Sequence, residues 1–366
     1  MPIRSDWKLQ REGITADTLA RLFKRTVFNP VLTLPLVLLA RYSQQGRHLA
    51  AYNNKYHKWL KVACYLGLFQ GVSDVLDRLV ANNWTSDDYE WDEEIVVITG
   101  GSDGIGKIVT QLLAERGIRV CVLDVQPLTY EAPPTVHFHP CDITSPTAIQ
   151  TAASSIQSTH GHPTILILNA GISRGKEILS LTPADLNTTF AVNTLSHYYL
   201  VQAFLPSLIK NNHGMVVTVA STAAYLTAPQ MVDYAASKAA ALAFHEGLSA
   251  ELVTRYKAPK VRTVAVCQGY TKTSLFTGFG VRRGFLSYPL EPRTVAEEIV
   301  KQVLSGKSGH VFLPEQMAKL LCVPVRGWPP FMQLGFRKGL DGLMKSWTGR
   351  QVIQPSEAEE GVDKEE

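Results

Sequence analysis

A serine, a tyrosine and a lysine in the second half of the chain have the residue types and the spacing of an acid–base centre. Tyr234 and Lys238 are four residues apart in a helical stretch, so their side chains share one helix face. A free phenol has a pKa of about 10, and a neighbouring ammonium group lowers that pKa. We therefore expect Lys238 to make Tyr234 a proton acceptor for an alcohol, or a proton donor to a ketone. Ser221 is expected to hydrogen-bond the reacting oxygen.

The same Tyr-x-x-x-Lys spacing recurs at Tyr256 and Lys260, so spacing alone does not identify the centre. Pro259 interrupts that second stretch, and no serine lies thirteen residues before its tyrosine. Ser221, in contrast, follows the apolar run Met215–Ala220, and its hydroxyl therefore emerges at the carboxyl end of a strand, where ligands bind in open α/β sheets. The strand context favours the first pair.

A glycine-rich loop, Thr99–Gly106 (TGGSDGIG), connects an apolar run to a helical stretch. Glycine lets a pyrophosphate approach the backbone, and the N-terminus of the following helix offers free N–H groups. We therefore predict a dinucleotide site, whose contacts in this loop are Gly100, Ser102, Asp103, Gly104, Ile105 and Gly106. Small residues after the strand TILIL would also pass close to the cofactor, namely Asn169, Ala170 and Gly171.

A carboxylate at the end of the next predicted strand bears on which dinucleotide binds. Asp124, eighteen residues after Gly106, can accept hydrogen bonds from both hydroxyls of the adenosine ribose and would repel a 2′-phosphate. The glycine-rich loop contains no Arg or Lys to hold such a phosphate, and none directly follows Asp124. We predict NAD(H), with NADP(H) less favoured. The alternative role for Asp124 is to cap a turn at the strand end.

Strand-like and helix-like segments alternate between about residues 91 and 314. The predicted strands are Ile95–Thr99, Ile118–Leu123, Val136–His139, Thr164–Leu168, Met215–Ala220, Val261–Val266 and His310–Leu313. The clearest helical patterns are Gly104–Arg116, Pro146–Ser158, Leu195–Leu208 and Met231–Arg255. This alternation predicts an α/β fold, with a doubly wound (Rossmann) parallel sheet of about seven strands and helices on both faces.

The first 90 residues differ from the rest in charge. Residues 1–61 contain eleven Lys or Arg against three Asp or Glu, whereas the whole chain has a formal net charge of +4. Two apolar runs, Val27–Ala40 and Val62–Val72, are shorter than the roughly 20 residues of a membrane-spanning helix, and Pro30 and Pro35 interrupt the first. We predict a hydrophobic helical extension that associates with an anionic membrane surface. The alternatives are a solvated helix face and packing on the catalytic body.

Beyond residue 314 the chain is first basic and aromatic, then acidic. Residues 315–350 combine Trp, Phe, Lys and Arg, which is the composition of an amphipathic interfacial helix. The alternatives for this segment are a homodimer contact or a lid over the substrate. Residues 351–366 form an acidic tail that is predicted to be disordered. The predicted divisions of the chain are therefore 1–90, 91–314, 315–350 and 351–366.

Five cysteines, an odd number without metal-ligand spacing, indicate a reducing compartment and no disulfide framework. Cys121 and Cys267 lie in apolar strand-like runs, where a buried free thiol is usual. The segment His137-Phe-His139-Pro-Cys141 contains metal-ligating residue types, but a short strand ending in a turn explains it better. We therefore predict no metal.

Together these motifs resemble the short-chain dehydrogenase/reductase family over about residues 92–314. The matching residues, in that family's order and spacing, are Thr99–Gly106, Asp124, Asp142, Asn169–Gly171, Asn193, Ser221, Tyr234 and Lys238. The chain departs from the family at Gln268-Gly269 after the sixth strand, where Pro-Gly is usual, and this departure concerns the shape of that loop.

The resemblance implies roles that the residues alone do not establish. Asp142 would contact the adenine, and Ile143 would lie beside it in the cofactor site. Asn193 would anchor a water in a proton relay through Lys238, which would also bind the nicotinamide ribose. Thr273 would meet the carboxamide of the cofactor.

The flanking segments resemble the membrane- and lipid-droplet-associated branch of this family, which is similar to retinol and 17-beta-hydroxysteroid dehydrogenases. This implies the interconversion of a lipophilic alcohol of retinoid, steroid or fatty type with its ketone or aldehyde. It also implies a location at the endoplasmic reticulum or a lipid droplet, with the catalytic domain facing the cytosol. The expected partners are a small lipophilic substrate and a lipid surface, with no nucleic acid.

The loop after the predicted carboxamide contact is rich in apolar residues. Leu275, Phe276, Phe279 and Phe285 are predicted to cover an apolar substrate, and the alternative is that they fill a core. Two other functions stay open at this point. One is an NADPH-dependent carbonyl reductase of secondary metabolism, and the other is a non-catalytic scaffold at a lipid surface.

Overall fold

A parallel sheet of seven strands forms the centre of the molecule, as the alternating sequence pattern predicts. The computed structural model describes residues 3–5, 7–281 and 283–352, so the acidic tail lies outside the described residues from 353 onward. The strands are β1 Ile95–Thr99, β2 Arg119–Asp124, β3 Val136–Pro140, β4 Ile165–Leu168, β5 Met215–Val219, β6 Arg262–Gln268 and β7 Gly309–Leu313. Their order across the sheet is β3-β2-β1-β4-β5-β6-β7. The order reverses between β1 and β4, which is where open α/β sheets form a ligand crevice.

Helices cover both faces of the sheet and also form the N-terminal extension. They are α1 Ala16–Arg25, α2 Pro30–Tyr42, α3 Gln44–Tyr52, α4 Asn54–Ala81, α5 Gly104–Ala114, α6 Pro146–His160, α7 Pro183–Phe190, α8 Ser196–Asn211, α9 Val232–Thr254, α10 Pro292–Leu304, α11 Glu315–Met317 and α12 Pro330–Lys338. Helices α5 and α10 pack on one face, while α6, α8 and α9 pack on the other. Because both faces are covered, the central strands are almost wholly apolar, and every residue of β1 is buried.

The N-terminal extension is joined to the catalytic body by buried polar contacts. The carboxylate of Asp17 accepts a 2.8 Å hydrogen bond from the Tyr288 hydroxyl and two more from backbone N–H groups at the start of α11. After α4, the Arg262 guanidinium at the start of β6 donates to the carbonyls of Asn82 and Thr85. Packing on the body, the alternative to membrane association, is therefore real at both ends of the extension.

Between those two attachments, α2, α3 and α4 pack mainly on one another and expose much apolar surface. Exposed apolar side chains on α2 and α4 include Val31, Leu32, Leu36, Leu39, Tyr65, Phe69 and Val72. Among the helices that the structure describes, none is by itself long and apolar enough to cross a bilayer. Helices α1 and α2, which meet at a bend of 44°, satisfy that criterion together by length and composition.

All five cysteines are free and buried, and the thiols of Cys121 and Cys267 are fully inaccessible, which confirms the interpretation of those two residues. Ligand atoms of Cys121, His139 and His160 lie within 4.8 Å of one another, at the β3 edge of the sheet. Cys141 is not a member of this group. The histidines of the segment do lie on a strand, β3, which ends at Pro140.

Candidate active site

A continuous cleft of about 420 Å³ opens at the carboxyl ends of the strands. The residues singled out in the sequence that line it are Gly100, Asp103, Gly104, Ile105, Gly106, Asp124, Ile143, Asn169, Ala170, Gly171, Ser221, Tyr234, Lys238 and Thr273. Ser102, Asp142 and Asn193 do not line it. The fold thus brings residues from six different strand ends to one crevice, although more than 170 residues separate the first from the last.

The glycine-rich loop leaves an open helix end at the cleft. Asp103 precedes α5 but makes no side-chain capping bond, so the first N–H groups of the helix have no side-chain partner. A Cβ at Gly106 would lie 2.1 Å from the Gly100 carbonyl oxygen, so the close packing of loop against helix requires glycine there. An uncapped helix N-terminus beside an open cleft fits the pyrophosphate of a dinucleotide.

The Asp124 carboxylate lies beside this loop and holds two backbone segments together. It accepts a 3.0 Å hydrogen bond from the Ser102 N–H and a 3.1 Å bond from the Gln126 N–H. The turn-capping role is therefore present. A carboxylate has about four acceptor positions, so Asp124, which also lines the cleft, can still accept hydrogen bonds from ribose hydroxyls.

At the β3 end of the cleft, the adjacent residues Asp142 and Ile143 differ in whether they line it. The Asp142 carboxylate accepts hydrogen bonds from the backbone and the hydroxyl of Thr144, at 2.8 and 2.7 Å, and it does not line the cleft. Both bonds are accepted by Oδ1, and the contact with adenine stays a prediction. Ile143 and Cys141 provide an apolar wall there instead.

Tyr234 and Lys238 lie one turn apart on α9, and only 4% and 3% of these residues are exposed. Burial raises the pKa of Tyr234 to about 12, although its hydrogen bond with the Ser221 side chain opposes the rise. Burial also lowers the pKa of Lys238 to about 8, and its amino group donates a 2.8 Å bond to the Val219 carbonyl. The predicted lowering of the Tyr234 pKa by Lys238 is wrong for this structure. Desolvation dominates, and the phenol is protonated at neutral pH.

The Ser221 hydroxyl is held by the loop that departs from the family pattern. It donates a 3.2 Å hydrogen bond to the Gln268 carbonyl and accepts a 3.1 Å bond from the Ala223 N–H. The Thr222 hydroxyl shares the same carbonyl at 3.4 Å. The Gln268-Gly269 loop thus supplies a backbone acceptor that orients the serine.

Asn193 lies in a π-helical turn, Ala191–Leu195, between α7 and α8. Its side chain exchanges two 2.9 Å hydrogen bonds with the Ile172 backbone and donates a third to the Ser237 hydroxyl. Both N–H donors of the amide are used, whereas Oδ1 accepts one bond and keeps a second acceptor position. The relay role of Asn193 stays a prediction, and π-helical turns are frequent at functional sites. Gly171 lies between the two candidate relay residues: a Cβ there would be 3.3 Å from both Lys238 Nζ and Asn193 Oδ1.

An apolar wall lies beside the tyrosine ring. The Phe276 ring packs edge-on against Tyr234 with the centroids 5.5 Å apart, and Phe279 packs on Phe276. Leu275 also lines the cleft, as predicted for a cover over an apolar substrate. Phe285 does not line it: this side chain is 54% exposed and lies beside the N-terminal extension, where its carbonyl accepts from the N–H of Ala16.

The C-terminal segment completes this wall. Its position agrees with the alternative given above for residues 315–350, a lid over the substrate. Phe336, Leu340 and Leu343 line the cleft. Residues 344–352, which we call the strap, then cross the loop after β6. The Trp347 indole donates to the Leu275 carbonyl at 2.9 Å. No local sequence pattern predicts this contact between the strap and the loop, because it joins residues more than 70 positions apart.

Part of the chain matches a known family of proteins. Residues 94–280 match the sequence profile of the family described as short chain dehydrogenase. Dehydrogenase RED2 of Cochliobolus heterostrophus is 46% identical over 198 residues, which cover 53% of this chain and 75% of the relative. Human estradiol 17-beta-dehydrogenase 11 is 30% identical over 241 residues, which cover 62% and 77% of the two chains.

Among solved structures, a short chain dehydrogenase from Burkholderia cenocepacia in complex with NADP is similar. It is 27% identical, with a TM-score of 0.56, and the match covers 67% of this chain and 98% of the bacterial one.

Proposed function

Because this chain belongs to the short-chain dehydrogenase/reductase family and is an oxidoreductase acting on CH–OH groups, we propose that it interconverts a lipophilic alcohol and its ketone or aldehyde with NAD(H). The observation that carries the proposal is the apolar wall at the reacting position. Phe276, Phe279, Leu340 and Leu343 all line the part of the cleft that also contains the buried Tyr234. A wall without charged groups favours a retinoid-, steroid- or fatty-type substrate over a sugar or an acid.

The preference for NAD(H) is supported by the charges at the ribose end of the cleft. Asp124 lines the part of the cleft to which we assign the adenosine ribose, and Asp103 is a second carboxylate in the cleft lining. Within the described lining of the cleft, the basic side chains are Lys238 and Arg350. Arg350 is paired with Asp103 at 2.9 Å, and a 2′-phosphate near Asp124 would therefore meet like charge.

Proton transfer is assigned to Tyr234. Its phenol, protonated at neutral pH, donates to the carbonyl oxygen during reduction and must first lose its proton to act as base during oxidation. Ser221 hydrogen-bonds the same oxygen as charge develops on it. Lys238 is buried beside this pair and can carry the proton onward. The bound nicotinamide supplies the hydride donor or acceptor.

The function is tested by assaying the full-length protein with NAD and with NADP on retinol, a 17β-hydroxysteroid, a long-chain alcohol and a sugar alcohol. We expect oxidation of at least one lipophilic alcohol with NAD and none of the sugar alcohol. Turnover of carbonyl substrates with NADPH alone would favour the carbonyl reductase. Failure to bind either dinucleotide would favour the non-catalytic scaffold and contradict the proposal.

We also propose that the extension formed by α2, α3 and α4 docks on an anionic lipid surface. Apolar side chains such as Leu39 and Phe69 are 58% and 75% exposed. The same helices carry an excess of Lys and Arg, so apolar insertion and attraction to anionic headgroups act together.

Deleting residues 1–90 would confound this test, because Asp17 and Asn82 tie the extension to the body. Instead, Leu39→Ser with Phe69→Ser should weaken binding to phosphatidylcholine–phosphatidylserine vesicles by at least about tenfold, since two exposed apolar side chains no longer enter the bilayer. Co-sedimentation measures the effect. The matched control is Ile178→Ser with Leu179→Ser, two apolar residues on the catalytic body that are 63% and 99% exposed. Equal loss in both variants would contradict a specific docking surface.

A further inference from the structure

The strap carries one arginine to the entrance of the dinucleotide loop. The Arg350 guanidinium lies 2.9 Å from the Asp103 carboxylate, immediately before α5, although 247 residues separate the two in the chain. The Arg350 N–H donates to the Ser274 carbonyl at 2.8 Å, and the Ser274 hydroxyl donates to the same carboxylate at 3.2 Å. The strap is therefore fixed at this point by its backbone as well as by its charge.

The electrostatics at this helix end are otherwise unfavourable for phosphate. The Asp103 carboxylate stands next to the uncapped N-terminus where a pyrophosphate would bind. Lys107, one turn into α5, is directed away, because its amino group donates to the Thr129 carbonyl and hydroxyl. Among the described cleft residues, the remaining cations are Lys238, which is bonded to the Val219 carbonyl, and Arg350.

We propose that Arg350 binds the pyrophosphate of the dinucleotide and that the strap is thereby part of the cofactor site. This rests on the proposed function and deepens it. Arg350 neutralises Asp103 in the free protein, and its guanidinium, which has five donors, can keep that partner while meeting a phosphate oxygen. Its side chain is 40% exposed, so it can reach a ligand in the cleft without breaking a buried contact.

The proposal predicts that Arg350→Ala weakens NADH binding about tenfold, the usual loss for one charge-assisted hydrogen bond. Binding is followed by the fluorescence of NADH in the absence of substrate. Arg350→Lys, which keeps the charge but loses the planar fork, should recover part of the affinity. The matched control is Lys345→Ala, which removes another cation from the strap. The ammonium group of Lys345 is paired with the exposed Asp341 carboxylate. The affinity of this variant for NADH should stay within about twofold of the wild type.

Asp103→Asn separates phosphate binding from simple latching of the strap. If Arg350 only latches the strap onto Asp103, the Asp103→Asn and Arg350→Ala variants lose NADH affinity equally, and the proposal is overturned. If Arg350 meets the pyrophosphate, Asp103→Asn increases the affinity, because a carboxylate that repels phosphate is lost while the Arg350 guanidinium remains. Wild-type protein that fails to bind NADH would refute the proposed function itself, whereas normal binding by both wild type and Arg350→Ala would refute only this inference.

Discussion

Tyr234→Phe is expected to lower kcat by about three orders of magnitude while the Kd for NADH stays within about twofold of the wild type. The substitution removes one hydroxyl from a residue that is 4% exposed and leaves the ring packed against Phe276, so the cleft keeps its shape. Steady-state kinetics and NADH fluorescence measure the two quantities. Because the pKa of Tyr234 is raised to about 12, alcohol oxidation by the wild-type protein should also become faster from neutral to alkaline pH.

The chain contains its own control for this experiment. Tyr256 and Lys260 have the same spacing, but Tyr256 is 43% exposed and hydrogen-bonds Glu251. Tyr256→Phe should therefore leave both kcat and NADH affinity unchanged. Normal turnover by Tyr234→Phe would mean that another group transfers the proton, and the assignment of the centre would be wrong.

Asp124→Ser is expected to reduce the preference for NADH over NADPH by at least about tenfold. Two effects add: the ribose hydroxyls lose a charged acceptor, and a 2′-phosphate no longer meets a carboxylate. Since Asp124 also binds the Ser102 and Gln126 N–H groups, the variant should melt at a lower temperature. Parallel titrations with NADH and NADPH give the ratio of the two dissociation constants.

Asp88→Ser is the matched control for that ratio. It removes the same charge from an exposed position before β1, outside the cleft lining, and should leave the cofactor preference unchanged. A wild-type protein that already prefers NADPH, or an Asp124→Ser variant with the wild-type ratio, would contradict the role given to this carboxylate.

The sheet and the polar residues at its edge could be predicted because their signals are local. Strands such as Ile95–Thr99 are continuous apolar runs. Gly106 closes the glycine-rich loop after that strand, and Tyr234 lies thirteen residues after Ser221. Parallel strands with helical crossovers then bring those ends to one side. The family relationship to 17-beta-hydroxysteroid dehydrogenases, suggested by the flanking segments, is confirmed by the human relative.

What could not be predicted depends on contacts between distant residues or on desolvation. The spacing of Tyr234 and Lys238 gives their common face but not how deeply the fold buries them, and burial reverses the expected direction of the tyrosine pKa. The motif identifies Asp142 but not the two hydrogen bonds that its carboxylate accepts from Thr144. Arg350 has no motif at all, since its place at the cleft is set by the path of the strap across the loop after β6.

The position of the proposed substrate wall near the end of the chain bears on how the cleft can vary. The matched family region ends at residue 280, yet Phe336, Leu340 and Leu343 lie beyond it and line the same cleft as Tyr234. Substitutions, insertions or deletions in this C-terminal part of the wall would not alter any strand of the sheet, because the last strand ends at Leu313. A change confined to these C-terminal residues would therefore alter the lining of the cleft and leave Ser221, Tyr234 and Lys238 in place.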